Sequence, residues 1–111
     1  MDIHEQSYGA VMVLKPVGPL IQDESDHFRQ RFKQVFEQNL GRVVVDLSAV
    51  PYFDSRGLEI LVEATRKLGQ SGQCLKLCAV TVTASEVLTL TGLAPLFEHF
   101  DNINSAVRSF L

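Results

Sequence analysis

The sequence predicts one α/β domain over residues 1–111, in which about four helices surround a mostly parallel sheet of four to five strands. Strand-like and helical segments alternate along the chain, and this order is typical of parallel sheets with helical crossovers. The run Val43–Val45 is short, apolar and β-branched, as expected for a strand that is covered on both faces. With 111 residues, the chain is long enough to bury roughly two thirds of its unfolded surface.

The first predicted strand lies near the N-terminus and is followed by a turn. Ala10–Leu14 is mainly apolar, as a buried strand would be. Pro16, Gly18 and Pro19 interrupt it, and we expect a short return strand at Leu20.

A helix is predicted from about Asp23 to Asn39. Its apolar side chains recur at i, i+4, i+7 and i+8 and form one core-facing stripe: Phe28, Phe32, Val35 and Phe36. Acidic residues occupy its first turn, where negative charge interacts favourably with the helix dipole, and Gly41 suits its C-terminal end. The strand Val43–Val45 then ends at Asp46, and the next helix begins near Ser55.

The second half of the chain continues the alternation. Glycines at 69 and 72 form a loop before a strand at Cys74–Val80. Thr83 and Glu86 have the spacing of a capping box, so we expect a short helix that Val87, Leu88 and Leu90 anchor and that ends at residue 91. An extended segment at 97–100 then leads to a last helix, capped by Asp101 or Asn102.

Composition and charge limit the kinds of function. Hydrophobic residues make up 46% and charged residues 21% of the chain, which excludes a disordered protein. The formal net charge of −3 and the lack of a basic cluster argue against direct nucleic-acid binding. No apolar run approaches the roughly 20 residues that cross a bilayer, and the N-terminal residues do not resemble a signal peptide. We therefore expect a cytoplasmic protein with no membrane insertion.

The two cysteines are predicted to be reduced, buried thiols. Cys74 and Cys78 are four residues apart in a predicted strand, a span of roughly 13 Å that no disulfide can bridge. A structural zinc site needs four ligands, whereas His4, His27 and His99 are scattered. We expect no metal site.

The segment Arg42–Leu61 contains the candidate site, because a buried strand ends there and a polar turn opens a helix. Asp54 and Ser55 lie at this helix start. Both are preferred N-cap residues, and a structural cap alone would explain them. The free backbone N–H groups of a helix start also favour an added negative charge.

The same segment resembles the sulfate transporter and anti-sigma factor antagonist (STAS) domain. The family pattern is a hydrophobic strand, an Asp-Leu step, an apolar approach and then Asp-Ser-x-Gly-Leu at the start of a helix. The matching residues here are Val43 to Leu47, Val50, Phe53, Asp54, Ser55, Gly57 and Leu58. Gly18 and Leu20 match a Gly-x-Leu step before the first helix, and Leu88–Phe97 resembles the family's late helix and its exit.

The resemblance implies an anti-sigma factor antagonist that acts by partner switching. Unphosphorylated, such a domain binds an anti-sigma factor that is also an ATP-dependent serine kinase, and phosphorylation releases it. By residue match, Ser55 would accept the phosphate, Asp54 would be its acidic neighbour, and Gly57 would allow close backbone approach. A PP2C-type phosphatase would remove the phosphate, while ATP and magnesium would belong to the kinase, so the chain itself needs no cofactor.

Arg56 departs from the small residue that usually precedes the motif glycine. It is either a solvated arginine of the first helical turn or a residue that alters partner choice. With Asp54, Ser55 and Gly57 it completes the expected partner-binding surface. A cation next to the phosphate would offset part of its charge, so the sequence predicts that Arg56→Ser increases the effect of phosphorylation on partner affinity.

Two other functions are compatible with the sequence. One is a constitutive adaptor, similar to the STAS subunits of bacterial lipid-transport ATPase complexes, in which docking occurs without phosphorylation. The other is a small hydrolase that uses Ser55, although a serine nucleophile needs a base within hydrogen-bond reach and only His99 could approach it in space. The chain has no phosphate-binding or dinucleotide motif, so we expect no catalytic residues and no enzymatic activity.

Overall fold

The computed structural model describes residues 1–111 and contains one five-stranded sheet with four α-helices. The strands are β1 (Asp2–Tyr8), β2 (Val11–Val17), β3 (Val43–Asp46), β4 (Leu75–Cys78) and β5 (Phe97–Phe100). The helices are α1 (Gln22–Gln38), α2 (Ser55–Gly69), α3 (Val82–Leu90) and α4 (Ile103–Arg108), with a 3₁₀ turn at Ala94–Leu96. The strand order is β1-β2-β3-β4-β5, and only β1 is antiparallel to its neighbour. The predicted α/β class is confirmed.

The sequence analysis missed β1, which is polar apart from Ile3 and Tyr8 and lacks a clear apolar alternation. It pairs with β2 along its full length, from Asp2 opposite Val17 to Tyr8 opposite Val11. The strand predicted at Ala10–Leu14 also continues to Val17. Pro16 is tolerated in β2 because the parallel pairs with β3 end at Leu14, so the sheet needs no backbone N–H at residue 16.

The two faces of the sheet have separate cores. Helices α1, α2 and α3 cover one face and form a cluster of 19 buried residues that includes Phe28, Phe32 and Val35 of α1. Phe36 is partly buried against this cluster. Helix α4 packs on the other face, over β3, β4 and β5. A smaller cluster forms beneath it: Val11, Val13, Val44, Cys78 and Ala106.

Two predicted strands differ from the structure. Leu20 does not start a return strand but forms one isolated parallel bridge with Phe53. The strand predicted at Cys74–Val80 is shorter, because Ala79 takes a left-handed conformation with φ of 54° and ends β4 at Cys78.

The capping box predicted for α3 is wrong. The cap is Thr81, two residues earlier, and its Oγ1 accepts a hydrogen bond from Ala84 N at 3.3 Å. Leu90 does not anchor the helix, since it is 86% exposed, whereas Leu88 is fully buried. The last helix is capped by Asn102, one of the two predicted residues.

Both cysteines are free thiols, but only Cys78 is buried. Burial, together with the negative charge of Asp46, raises the pKa of the Cys78 thiol to about 12. Cys74 is half-buried, so the prediction of two buried thiols is wrong for this residue. No group of three or more His, Cys, Asp or Glu side chains is arranged to hold a metal ion. None of the helices has both the length and the apolar character to span a membrane.

Candidate functional site

Asp54 is the N-cap of α2, and Ser55 is the first residue of the helix. The Oδ1 atom of Asp54 accepts a hydrogen bond from Gly57 N at 2.9 Å, and its backbone carbonyl accepts one from Leu58 N at 3.1 Å. Ser55 is exposed, and its hydroxyl makes no hydrogen bond within the protein. Capping therefore explains Asp54 but leaves the Ser55 hydroxyl without a structural role.

The start of α2 is joined to the loop between β2 and α1. Asp54 Oδ2 accepts a hydrogen bond from Gln22 N at 3.1 Å, and Asp54 N donates one to Leu20 O at 3.2 Å. Two more backbone bonds connect the same loops, from Gly18 N to Ala49 O (2.9 Å) and from Leu20 N to Tyr52 O (3.2 Å). These bonds fix the position of Ser55 relative to α1.

Gly57 allows a close backbone approach within the chain, between the start of α2 and the loop before α1. A Cβ at this position would lie 2.2 Å from Leu20 O and 2.8 Å from the Cβ of Phe53. Gly57 is buried. Of the four residues predicted for the partner-binding surface, Gly57 is therefore the one that lies inside the protein, beneath the other three.

The loop between β3 and α2 is anchored by buried apolar side chains and exposes polar and aromatic groups. Leu47 and Val50 are fully buried, and Phe53 is 6% exposed. Between them, Pro51 is exposed and Tyr52 is 49% exposed, so both lie on the surface beside the start of α2. The candidate site is thus a rigid surface and not a deep pocket.

Arg56 points toward α1. Its Nη2 lies 2.5 Å from Asp26 Oδ1 and its Nη1 lies 3.1 Å from Glu59 Oε1. Both carboxylates raise the pKa of the Arg56 guanidinium, and Asp26 has the larger effect. Through these ion pairs Arg56 connects α1 and α2. Because adjacent residues of a helix do not face each other, Arg56 leaves the Ser55 hydroxyl unpaired.

The Asp54 carboxylate has a lowered pKa. The main cause is the hydrogen bond from the Gly57 backbone N–H, and a smaller one comes from Gln22. These donors stabilise the charged form, as the free N–H groups of a helix start generally do.

Replacing Asp54 by Asn is expected to destabilise the protein at neutral pH and to matter less as the pH falls. A carboxylate whose folded pKa lies below its ordinary value of 3.8 stabilises the fold above that value, and the contribution is lost as the pH falls through the folded pKa. Asn keeps an acceptor for Gly57 N–H without the charge. Urea unfolding of both proteins from pH 7 to about pH 2 measures the difference. A difference that does not depend on pH would show that the charge contributes nothing.

The geometry does not support a serine nucleophile at Ser55. His99 lies on β5, and β4 separates that strand from β3, after which Ser55 follows. Two strand spacings correspond to roughly 10 Å. His99 Nε2 is also 2.7 Å from Ala94 O, which occupies one ring nitrogen. His99 therefore does not reach the Ser55 hydroxyl.

Sequence reasoning missed the contribution of the loop before α1 to this site. Leu20 and Gln22 supply three of the hydrogen bonds that hold Asp54 and Tyr52. The Gly-x-Leu step at Gly18 was the available signal, but it was used only for the family resemblance and for a predicted turn and return strand. Gln22 has a φ of 44°, a conformation that its residue type does not predict.

The fold and the site define a small α/β domain in which a helix start presents an exposed serine. The STAS domain family model matches residues 3–106. The chain belongs to the STAS domain family.

Relatives of the chain include proteins named as anti-sigma factor antagonists. The anti-sigma F factor antagonist of Paenibacillus polymyxa is 21% identical, over 92% of this chain and 88% of its own. A crystal structure of a candidate anti-sigma factor antagonist from Thermotoga maritima has a TM-score of 0.87 at 21% identity and covers 96% of this chain and 92% of that one.

The anti-sigma factor antagonist SpoIIAA has the same fold and has been solved in two states. Its unphosphorylated form has a TM-score of 0.78 at 16% identity and covers 98% of this chain and 96% of that one. The phosphorylated form, from Bacillus, has a TM-score of 0.72 at 16% identity and covers 99% of this chain and all of that one.

Proposed function

We infer that this protein is an anti-sigma factor antagonist that acts by partner switching, with Ser55 as its phosphorylation site. The unphosphorylated form binds an anti-sigma factor that is also a serine kinase, and phosphorylation of Ser55 ends the interaction. The observation that carries this proposal is the exposed Ser55 hydroxyl, which makes no hydrogen bond at a helix start that the chain holds rigidly. A kinase needs such a hydroxyl, because the acceptor must enter the active site of another protein.

The comparisons support the proposal through the family and through what its members are named. The Paenibacillus relative is an anti-sigma F factor antagonist, and SpoIIAA occurs in phosphorylated and unphosphorylated forms. Ser55 follows Asp54 in the family motif Asp-Ser-x-Gly-Leu. The proposed partner surface consists of Asp54, Ser55 and Arg56, with Gly57 beneath them.

The local electrostatics favour a phosphate at Ser55 without loss of the fold. The residue lies in the first turn of α2, where the helix dipole and free N–H groups stabilise negative charge. The Asp54 carboxylate already accepts two backbone N–H groups, so the added charge lies beside a group that is itself well stabilised. Phosphorylation therefore changes the surface and leaves the core intact.

The remaining chemistry belongs to other proteins in this proposal. The kinase binds ATP and magnesium, and a PP2C-type phosphatase restores the hydroxyl. The chain acts in the cytoplasm, is not an enzyme and influences transcription through protein contacts only. His99 is held by Ala94 O, and no metal cluster or phosphate-binding loop accompanies Ser55, which supports its role as a substrate.

The test is phosphorylation by the cognate kinase, sought as the product of a neighbouring gene for a GHKL-type serine kinase. Incubation with the kinase and ATP is expected to add one phosphate per chain, at Ser55. Intact-mass and peptide mass spectrometry measure both the stoichiometry and the position. Stoichiometric labelling of the Ser55→Ala variant would contradict the assignment.

A control separates function from folding. Since the Ser55 hydroxyl makes no protein hydrogen bond, Ser55→Ala should change the unfolding free energy by no more than about 0.5 kcal/mol. A folded Ser55→Ala variant that binds the kinase but takes no phosphate supports the switch. Stable binding of wild-type protein without any phosphorylation would instead favour a constitutive adaptor.

A further inference from the structure

The second face of the sheet contains a half-open groove that the proposed switch does not use. It lies over β1, β2 and the end of β3, beside the first residue of α4, and has a volume of about 230 Å³. Its lining includes His4, Gln6, Val13, Lys15, Asp46 and Ile103. This volume is below the roughly 300–1,000 Å³ of sites for drug-sized ligands, so the groove suits a small molecule.

The orientation of these side chains follows from the pleat of the strands. Glu5 of β1 also lines the groove, but its carboxylate pairs with Arg31 of α1, so its neighbours His4 and Gln6 point to the opposite face from that carboxylate. Val13 and Val44 belong to the small cluster on that face, and Lys15 and Asp46 follow them by two residues. His4 is directly opposite Lys15 in the β1–β2 register. The groove is therefore built on adjacent strands and not on a mobile loop.

Asp46 is the most informative residue of the groove, because its carboxylate is buried and forms no ion pair. The residue is 4% exposed and forms no salt bridge. Its Oδ1 accepts a hydrogen bond from Ser48 N at 2.9 Å, while Oδ2 has no donor in the protein. Oδ2 is not among the fully enclosed unpaired atoms, and Asp46 lines the groove. A buried carboxylate that lacks a partner is costly, and a bound cationic group would remove that cost.

Lys15 adds the opposite charge beside Asp46. The parallel pairs of β2 and β3 end at Leu14 and Val45, and Lys15 and Asp46 are the next residues of the two strands. Lys15 is partly buried and forms no ion pair, even with its acidic neighbour. A simple cation would be repelled by Lys15 and a simple anion by Asp46. A ligand that carries both charges satisfies both side chains.

We propose that this groove binds a small zwitterion of the α-amino acid class. The ligand ammonium group faces Asp46 Oδ2, its carboxylate faces Lys15, and a short apolar side chain lies along Val13 and Ile103. Asp46 is the last residue of β3 and the loop after it ends at Asp54, so the groove adjoins the segment that positions Ser55. The proposal does not depend on phosphorylation of that serine.

The test is a titration of the ¹⁵N-labelled protein with L-valine, followed by NMR. Two matched probes each lack one charge: isobutylamine lacks the carboxylate, and isovalerate lacks the ammonium group. L-valine is expected to shift the amide signals of Gln6, Lys15 and Ser48, and each single-charge probe to bind at least about tenfold more weakly. No shifts with L-valine up to ~50 mM would overturn the proposal. Equal binding of isobutylamine would also overturn it, because the site would then recognise only a cation.

Variants locate the site. Asp46→Asn should weaken L-valine binding at least about tenfold, and so should Lys15→Met, because each removes one charge contact. Lys33→Met is the matched control, since Lys33 is exposed on α1 at the other face of the sheet and should leave binding unchanged. If Asp46→Asn does not fold, Lys15→Met decides alone. Unchanged affinity in Lys15→Met would place any binding elsewhere and contradict the proposal.

Discussion

Replacing Gly57 by alanine is expected to lower the free energy of unfolding by at least about 2 kcal/mol. The added Cβ would lie 2.2 Å from Leu20 O and 2.8 Å from the Cβ of Phe53, well inside van der Waals contact. The Leu20 carbonyl cannot easily withdraw, because it accepts the hydrogen bond from Asp54 N. Alanine gains about 1 kcal/mol of helix propensity over glycine, which is too little to offset displacement of two backbone segments.

Gly69 provides the matched control for this substitution in the same helix. A Cβ at Gly69 would meet nothing within 4 Å, so Gly69→Ala should be neutral or stabilise by up to about 1 kcal/mol. Urea unfolding of both variants measures the contrast. The Gly57→Ala variant should also lose partner binding, because the start of α2 and the Leu20 loop must separate. Equal stability of the two variants would show that the backbone relaxes around the new methyl group.

The alternation of apolar strands and helices predicted most of the fold. Val43–Val45 and the stripe of Phe28, Phe32 and Val35 are buried as expected, because their spacing leaves one face for the core. The edge strand β1 was missed because it is mostly exposed and its polar side chains carry no apolar period. The N-cap of α3 was assigned to Thr83 because of its spacing from Glu86. The actual cap is Thr81, whose position depends on a tertiary contact, since its Oγ1 also donates a hydrogen bond to Val50 O at 3.2 Å.

The candidate site was located from the motif, but its construction was not predictable from sequence. Asp54 and Ser55 lie at the helix start as expected. The contribution of Leu20 and Gln22 depends on contacts between segments more than 30 residues apart, which local patterns do not encode. The ion pairs of Arg56 with Asp26 and Glu59 depend likewise on how α1 packs against α2.

Phosphorylation of Ser55 is expected to weaken kinase binding by a factor of about ten to several thousand. A kinase that phosphorylates this serine must place a nucleotide phosphate against it, so the product phosphate of about −1.5 to −2 charges faces a like charge. At roughly 6 Å, with an effective dielectric between that of water and that of a protein surface, the repulsion is about 1.5 to 5 kcal/mol. The helix start stabilises the phosphate in the free protein, so this penalty applies only to the complex.

Calorimetric titration of the nucleotide-bound kinase against both forms of the protein measures this loss of affinity. The same titration of the Arg56→Ser variant tests whether the neighbouring cation reduces the loss. The sequence alone predicts a larger effect of phosphorylation in this variant. Because Asp26 and Glu59 already neutralise the guanidinium, and adjacent helical side chains diverge, we now expect the ratio of affinities to change by less than about threefold. A clearly larger ratio in Arg56→Ser would show that Arg56 leaves its ion pairs for the phosphate. Equal binding of the two wild-type forms would exclude phosphorylation as the switch, even if Ser55 is phosphorylated.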